Sequence, residues 1–203
     1  MEINPRENVP DFSLPLPLYT SVHVADASDH EGGKYAVFMG LEKEHAQHIK
    51  KLSLDESDVE LQNNTGDRKR FGEGSYEEWY AKNRTPFILV HRQTNAIAAL
   101  VWFGPKSLGK KSIKFGSEEK DEIQNNWHTV VWRSYPPFRG RGLMRTFTQF
   151  VMSVYEKQFS EIKFWEGMDN RNEAMIALSS KLGFKPSEEN SDPKANWLVV
   201  VKE

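Results

Sequence analysis

The sequence predicts an α/β fold, a sheet with helices on both faces, and three observations predict it. Trp127 to Trp132 is rich in aromatic and β-branched residues and reads as a strand. After a glycine-containing loop, Leu143, Phe147, Phe150, Val151 and Val154 recur at helical spacing. Pro86 to His91 and Ala96 to Phe103 are apolar runs joined through Gln93, Thr94 and Asn95, which predicts a β-hairpin covered on both faces in the middle of the sheet. A helix from Arg145 to about Phe159, a strand from Ile162 to Glu166 and a last strand from Trp197 to Val201 complete the pattern.

The 203 residues suit one domain, because single cores usually stop growing near about 250 residues. A formal charge of −2 gives no general reason to expect nucleic acid or an anionic membrane as partner. With no cysteine, a disulfide, a thiolate nucleophile and a cysteine-based metal site are excluded. The six histidines do not converge as a zinc site requires, so no metal is expected. The N-terminus lacks the apolar core of a signal peptide, and no stretch approaches the ~20 apolar residues of a membrane span. The expectation is a soluble, cytoplasmic protein.

In chain order, residues 1–17 carry Pro5, Pro10, Pro15 and Pro17 and predict an extended arm. Leu18 to Val24 alternates as a first strand, and Ala25 to Gly33 reads as a loop. Tyr35 to Leu41 is a second apolar run, either a strand or the lead-in to a helix. Glu42 to Leu52 reads as a surface helix with a narrow apolar stripe at Ala46, Ile49 and Leu52. Asp55 to Gly74 is acidic, then Asn-rich, then basic at Arg68, Lys69 and Arg70, the composition of a long mobile loop. Ser75 and Glu78 form a capping box for a helix to about Lys82. Its Tyr76, Trp79 and Tyr80 either border a pocket or pack the helix on the sheet. Gly104 to Asn126 is a polar, lysine-rich insertion whose acidic neighbours would oppose a polyanion. Within it, Lys111 stands where a phosphate loop needs Ser or Thr for magnesium.

The chemistry gathers in Ser134 to Met144. A helix N-terminus leaves N–H groups without intrahelical partners and carries partial positive charge, so a strand–loop–helix junction suits a phosphate or pyrophosphate. Gly140 and Gly142 let the backbone approach that anion, and Arg139, Arg141 and Arg145 add cationic donors. This segment resembles motif A of the GNAT superfamily of N-acetyltransferases, Arg/Gln-x-x-Gly-x-Gly/Ala, whose loop holds the pyrophosphate of acetyl-coenzyme A. Arg139 and Gly142 match, with Pro136 and Phe138 ahead of them, while Met144 stands where Gly or Ala is usual. Asp169 to Phe184 resembles the superfamily's motif B through Asn172, Ala177, Leu178, Lys181, Gly183 and Phe184.

The resemblance implies the GNAT fold: a mixed, mostly antiparallel central sheet of six to seven strands, flanked by helices on both faces, in a single domain. The sheet would splay open between the strand before motif A and the strand before motif B, and the cofactor's pantetheine arm would enter the gap. The implied activity is transfer of acetyl from acetyl-CoA to an amine on a small molecule or peptide, by direct attack in a ternary complex. The implied cofactor-binding residues are Arg133, Ser134, Arg139, Gly140, Arg141, Gly142, Leu143, Met144, Arg145 and Asn172. A backbone N–H near Arg133 or Ser134 would stabilise the oxyanion.

For the general base, His128 lies near the start of the motif A strand, and Glu166 and Asp169 lie at the end of the motif B strand; Glu166 is preferred. Many family members protonate the departing thiolate with a Tyr, and Ser179, a much weaker acid, takes that place here. Tyr135 or water is then expected to serve. Met144 and Ser179 favour the alternative, a CoA-binding sensor or scaffold without turnover. The acceptor stays open, as does a homodimer.

Overall fold

The computed structural model describes residues 1–7, 9–109, 126–159 and 161–203. Its strands are β1 (Glu2–Pro5), β2 (Ser21–Ser28), β3 (Lys34–Gly40), β4 (Thr85–His91), β5 (Ala96–Pro105), β6 (Trp127–Ser134), β7 (Lys163–Asp169), β8 (Lys185–Pro186) and β9 (Trp197–Lys202). Its helices are α1 (Lys43–Leu54), α2 (Val59–Asn64), α3 (Tyr76–Tyr80), α4 (Leu143–Glu156) and α5 (Glu173–Lys181). The strands form one sheet in the order β1-β2-β3-β4-β5-β6-β7-β9-β8. Every neighbouring pair is antiparallel except β6 and β7. The sheet has nine strands rather than six or seven because two short edge strands extend it, β1 beside β2 and β8 beside β9.

The central hairpin explains the layering. In β4, Phe87 and Leu89 point into one core while Ile88 and Val90 point into another, as the two-residue period of a strand requires. The first core is closed by α4, which buries Leu143, Phe147, Val151, Met152 and Tyr155 against β2 to β6. Burying such side chains stabilises the fold by ~1.5–3 kcal/mol each. The second core packs α1 and α3 on the opposite face, and Tyr76, Trp79 and Tyr80 lie in it with Phe71 and Trp102. Those three aromatics therefore pack α3 on the sheet. Ser75 caps α3 as the sequence predicts, its hydroxyl accepting from the Glu78 N–H at 3.2 Å.

Three expectations for the N-terminal third are corrected. The proline-rich arm supplies β1, because Pro5 sits at the end of an edge strand where a missing donor costs little. The first long strand starts and ends later than Leu18 to Val24: Ala25 to Ser28, read as loop, stays in the sheet because Ala25 and Ala27 are buried. Asp55 to Gly74 is not a mobile loop but α2 followed by a five-residue π-helical turn, Arg68–Gly72. Leu61 and Phe71 anchor it in the second core, and Asp58 caps α2 by accepting from the Leu61 N–H at 3.1 Å. The lysine-rich insertion lies mostly outside the described residues.

Near the end of the chain, the Trp197 ring lies directly on Gly167 of β7, filling the place of a side chain. Gly167→Val should destabilise the protein by about 1–3 kcal/mol through overpacking. In a domain of this size that lowers Tm by about 2–4 °C per kcal/mol in a thermal melt.

Candidate functional site

Three rungs join β6 to β7, Trp127↔Lys163, His128↔Phe164 and Thr129↔Trp165, and there the pairing stops. Beyond them β6 stays paired with β5 as far as Ser134, and β7 stays paired with β9 as far as Asp169. The two strands thus part toward their C-terminal ends, leaving a gap in the sheet. Trp132 of β6 packs beside this gap, its indole N–H donating to the Met175 sulfur of α5 at 2.8 Å.

At the mouth of the gap the chain turns from β6 into α4. Gly140 and Gly142 take positive φ values of 77° and 71°, a conformation that favours glycine, and a Cβ at either would meet only open space. Gly142 caps α4 without any side-chain acceptor. Among the described residues no acceptor is found for the main-chain N–H groups of residues 139 to 145. The result is a bare helix N-terminus with free amides facing a cavity of about 580 Å³.

The cavity is lined by the loop from Arg133 and Ser134 through Arg139 to Arg145, by Asn172, Met175, Leu178 and Lys181 of the α5 segment, and by Glu60, Leu61, Asn64 and Thr65 of the α2 segment. All ten residues expected to bind cofactor line it. They do not all present free groups. The Arg139 guanidinium is gripped by Asp58, both contacts at 2.7 Å, with Glu60 at 3.4 Å, and its Nε donates to the Ser134 carbonyl at 2.9 Å. Arg133 is held by fully buried Asp67, Nε donating at 2.6 Å, and its Nη1 donates to the Trp132 carbonyl at 2.8 Å. Arg141 leans over the Phe138 ring, with Asp29 at 3.7 Å and Glu31 at 3.5 Å. Among the described residues no carboxylate pairs with Arg145 or Lys181, so these are the cations left for an anionic ligand. Asn172 caps α5, accepting from the Met175 N–H at 3.2 Å.

The residues proposed for acid–base work lie off the cavity walls. His128 sits at the closed end of the β6–β7 pair, sharing a hydrogen bond of 2.7 Å with the Tyr155 hydroxyl, and burial lowers its pKa to about 4. Ser179 donates to the Ile176 carbonyl one turn back in α5. Tyr135 is fully buried with its hydroxyl unpartnered among the described residues, and burial, then Asp67, push its pKa up. Asp169 holds Arg171 through both carboxylate oxygens. Glu166 is the first residue of β7 past the last rung to β6. It is 2% exposed, its Oε2 has no partner among the described residues, and burial holds its carboxyl well above the usual range despite the opposing charge of Arg133.

Asp58, Asp67, Lys181 and the α2 wall were not among the expected site residues. For Lys181 the signal was present, since it belongs to the second motif. For the α2 segment there was none, because its partners Arg133 and Arg139 lie more than sixty positions away in the sequence. Among the described residues no His, Asp or Glu cluster is placed to hold a metal, and no helix is long and apolar enough to cross a membrane.

No family model matches the sequence, and no curated protein matches it. Solved structures do match the fold. The GNAT domain of S. lividans PAT superposes with a TM-score of 0.62 at 13% identity, over 87% of this chain and 94% of that one. RimL, a ribosomal L7/L12 alpha-N-protein acetyltransferase in complex with coenzyme A, gives 0.58 at 14% identity over 82% and 93%. The ribosomal-protein-S5-alanine acetyltransferase from Vibrio fischeri gives 0.57 at 14% identity over 83% and 92%. The chain therefore has the GNAT fold, a mixed and mostly antiparallel sheet parted at one parallel pair.

Glu166 also makes a prediction about stability. In the unfolded chain it ionises near 4.5, whereas in the folded protein it keeps its proton to higher pH. The folded state then binds more protons than the unfolded one, so stability falls as pH rises from 4.5 toward the raised value. Glu166→Gln should remove this slope: thermal melts should show variant and wild type diverging upward from pH 4.5, with the variant the more stable at pH 7.

Proposed function

We propose that this protein is a GNAT-type acyl-CoA-dependent N-acyltransferase, moving acetyl from acetyl-CoA to a primary amine by direct attack in a ternary complex. The observation that carries this reading is the bare N-terminus of α4, with unpaired amides from 139 to 145 beside the parted strands. Those amides, with Arg145 and Lys181, supply donors and positive charge for the diphosphate. The gap admits the pantetheine arm toward its apex.

In the reaction the amine nitrogen bonds to the thioester carbon, the C–S bond breaks, and a proton leaves the nitrogen. An alkylamine is mostly protonated near neutral pH, its unperturbed pKa being about 10, so a base must take a proton. Glu166, one residue past the last rung and off the cavity wall, is proposed as that base in its ionised form, acting through intervening water; burial raises its pKa above the ordinary carboxylate range and makes it a stronger proton acceptor than an exposed carboxylate. The developing oxyanion is proposed to accept from a main-chain N–H of the open β6 edge near Ser134. Ser179 is bonded within its own helix and Tyr135 is fully buried with its pKa pushed up, so water is proposed to protonate the thiolate. A peptide or small-molecule amine is the proposed acceptor, and a cytoplasmic setting, with acetyl-CoA and amines at hand, is proposed with it.

Coenzyme A should bind in titration calorimetry. Gly142→Glu, which adds the left-handed strain of ~1–2 kcal/mol and a carboxylate at the anion site, should weaken it at least about tenfold. Lys50→Ala, on α1 outside the cavity, should leave affinity unchanged. Incubation of acetyl-CoA with a panel of amines should release thiol at a rate rising with pH through the raised Glu166 pKa. Tight binding with no turnover on any amine would favour a CoA-sensing module, and absence of CoA binding would defeat both readings.

A further inference from the structure

The β6 edge that faces the gap carries its own ligands. The Tyr135 N–H donates to the Ala98 carbonyl and the Lys106 N–H to the Trp127 carbonyl, so odd-numbered residues of β6 turn their main-chain groups toward β5. The Lys163 N–H donates to the Asn126 carbonyl, so even-numbered residues face β7. Past the last rung at Thr129, the even-numbered Val130, Trp132 and Ser134 accordingly have their carbonyls on the gap side, and Trp132 and Ser134 their N–H groups as well. The two outer carbonyls are already taken, Trp132 by Arg133 Nη1 at 2.8 Å and Ser134 by Arg139 Nε at 2.9 Å.

Each of these guanidinium groups is fixed by a carboxylate that the sequence placed in a loop. Asp67, fully buried, holds Arg133 with bonds of 2.6 and 3.1 Å and also pairs with Arg70. Asp58, whose side chain is 5% exposed, grips Arg139 with two bonds of 2.7 Å while capping α2. The two aspartates bracket α2, whose Leu61 and Asn64 line the cavity.

We propose that Asp58 and Asp67 are positioning residues which, through Arg139 and Arg133, cap the gap-facing carbonyls of Trp132 and Ser134 and leave this outer stretch of the edge offering N–H donors to bound acyl-CoA. The proposal rests on the acyl-CoA reading above. An ordinary strand edge alternates donors and acceptors and pairs with any extended chain. From Trp132 to Ser134 such a capped edge favours the carbonyl groups of the pantetheine arm and of the thioester over their N–H groups. It also gives the arginine expected to bind phosphate a different task. Arg139 forks onto Asp58 and Ser134, and the diphosphate is left to the loop amides, Arg145 and Lys181.

The test compares two ligands by titration calorimetry: coenzyme A, and adenosine 3′,5′-diphosphate, which carries nucleotide phosphates without the pantetheine arm. Asp58→Asn keeps an oxygen for the Leu61 N–H but loses the charged fork. Arg139→Lys keeps a charge but cannot grip Asp58 and cap Ser134 together. In both variants coenzyme A affinity should fall about tenfold, as for loss of one charge-assisted hydrogen bond, with adenosine 3′,5′-diphosphate within about twofold of wild type. Equal weakening of both ligands would mean general damage to the loop and overturns the proposal, as does unchanged coenzyme A affinity in both variants. Failure of the wild type to bind coenzyme A defeats the acyl-CoA reading itself, and this proposal falls with it. The two variants guard against misfolding of either, which a thermal melt detects.

Discussion

The site depends on the divided loyalty of two neighbouring strands. β6 is bound along its whole length to β5, and β7 to β9, while only three rungs join β6 to β7. Sheet twist rotates each strand relative to the next, so two strands held firmly by different partners separate once their mutual pairing ends. Separation exposes main-chain donors and acceptors that a buried position cannot leave unsatisfied without cost. The molecule answers this with guanidinium groups on the carbonyls of Trp132 and Ser134 and with the Trp132 indole set against Met175. The gap is therefore maintained by specific bonds, rather than being a place where packing failed.

The same bonds divide the arginines into two classes. Arg133 and Arg139 are drawn into the protein and each meets a carboxylate, as buried charge must. Breaking such a pair leaves an uncompensated ion, so these residues set the shape of the site at high stakes. Arg145 and Lys181 stay at the rim without a carboxylate partner among the described residues, where a charged ligand meets them at little desolvation cost. A loop rich in arginine thus supplies a frame and leaves Arg145 for the proposed ligand, and the partner of each side chain, not its position in the motif, decides which.

Outside Asp55 to Gly74 and the short β8, strand and helix existence from Glu42 onward, the hairpin, the capped α3 and the strand–loop–helix at Gly142 were legible, since each rests on local periodicity or on a cap within four residues. The parted sheet followed from the resemblance rather than from periodicity, and the register confirms it. What could not be read was anything specified by distant charge. Asp58, Asp67 and Arg70 look like loop composition until Arg133 and Arg139 are placed beside them. Asn172 carried its helix-capping reading in its own neighbourhood, and that geometry is present.

Glu166 stands apart among the buried carboxylates. The other buried carboxylates are saturated with donors: Asp29 accepts from the Glu31 and Gly33 N–H groups and the Tyr35 hydroxyl, Asp58 from Arg139 and Leu61, and Asp67 from Arg133 and Arg70. Glu166 is as buried as these, yet its Oε2 has no donor among the described residues, and burial raises its pKa. An unsatisfied buried carboxyl lowers stability, and a Gln or Leu in its place would serve packing as well or better. The cost falls one residue past the point where the strands part. Strongly perturbed carboxyls concentrate at reacting centres, and this is the ground on which Glu166 is proposed as the base.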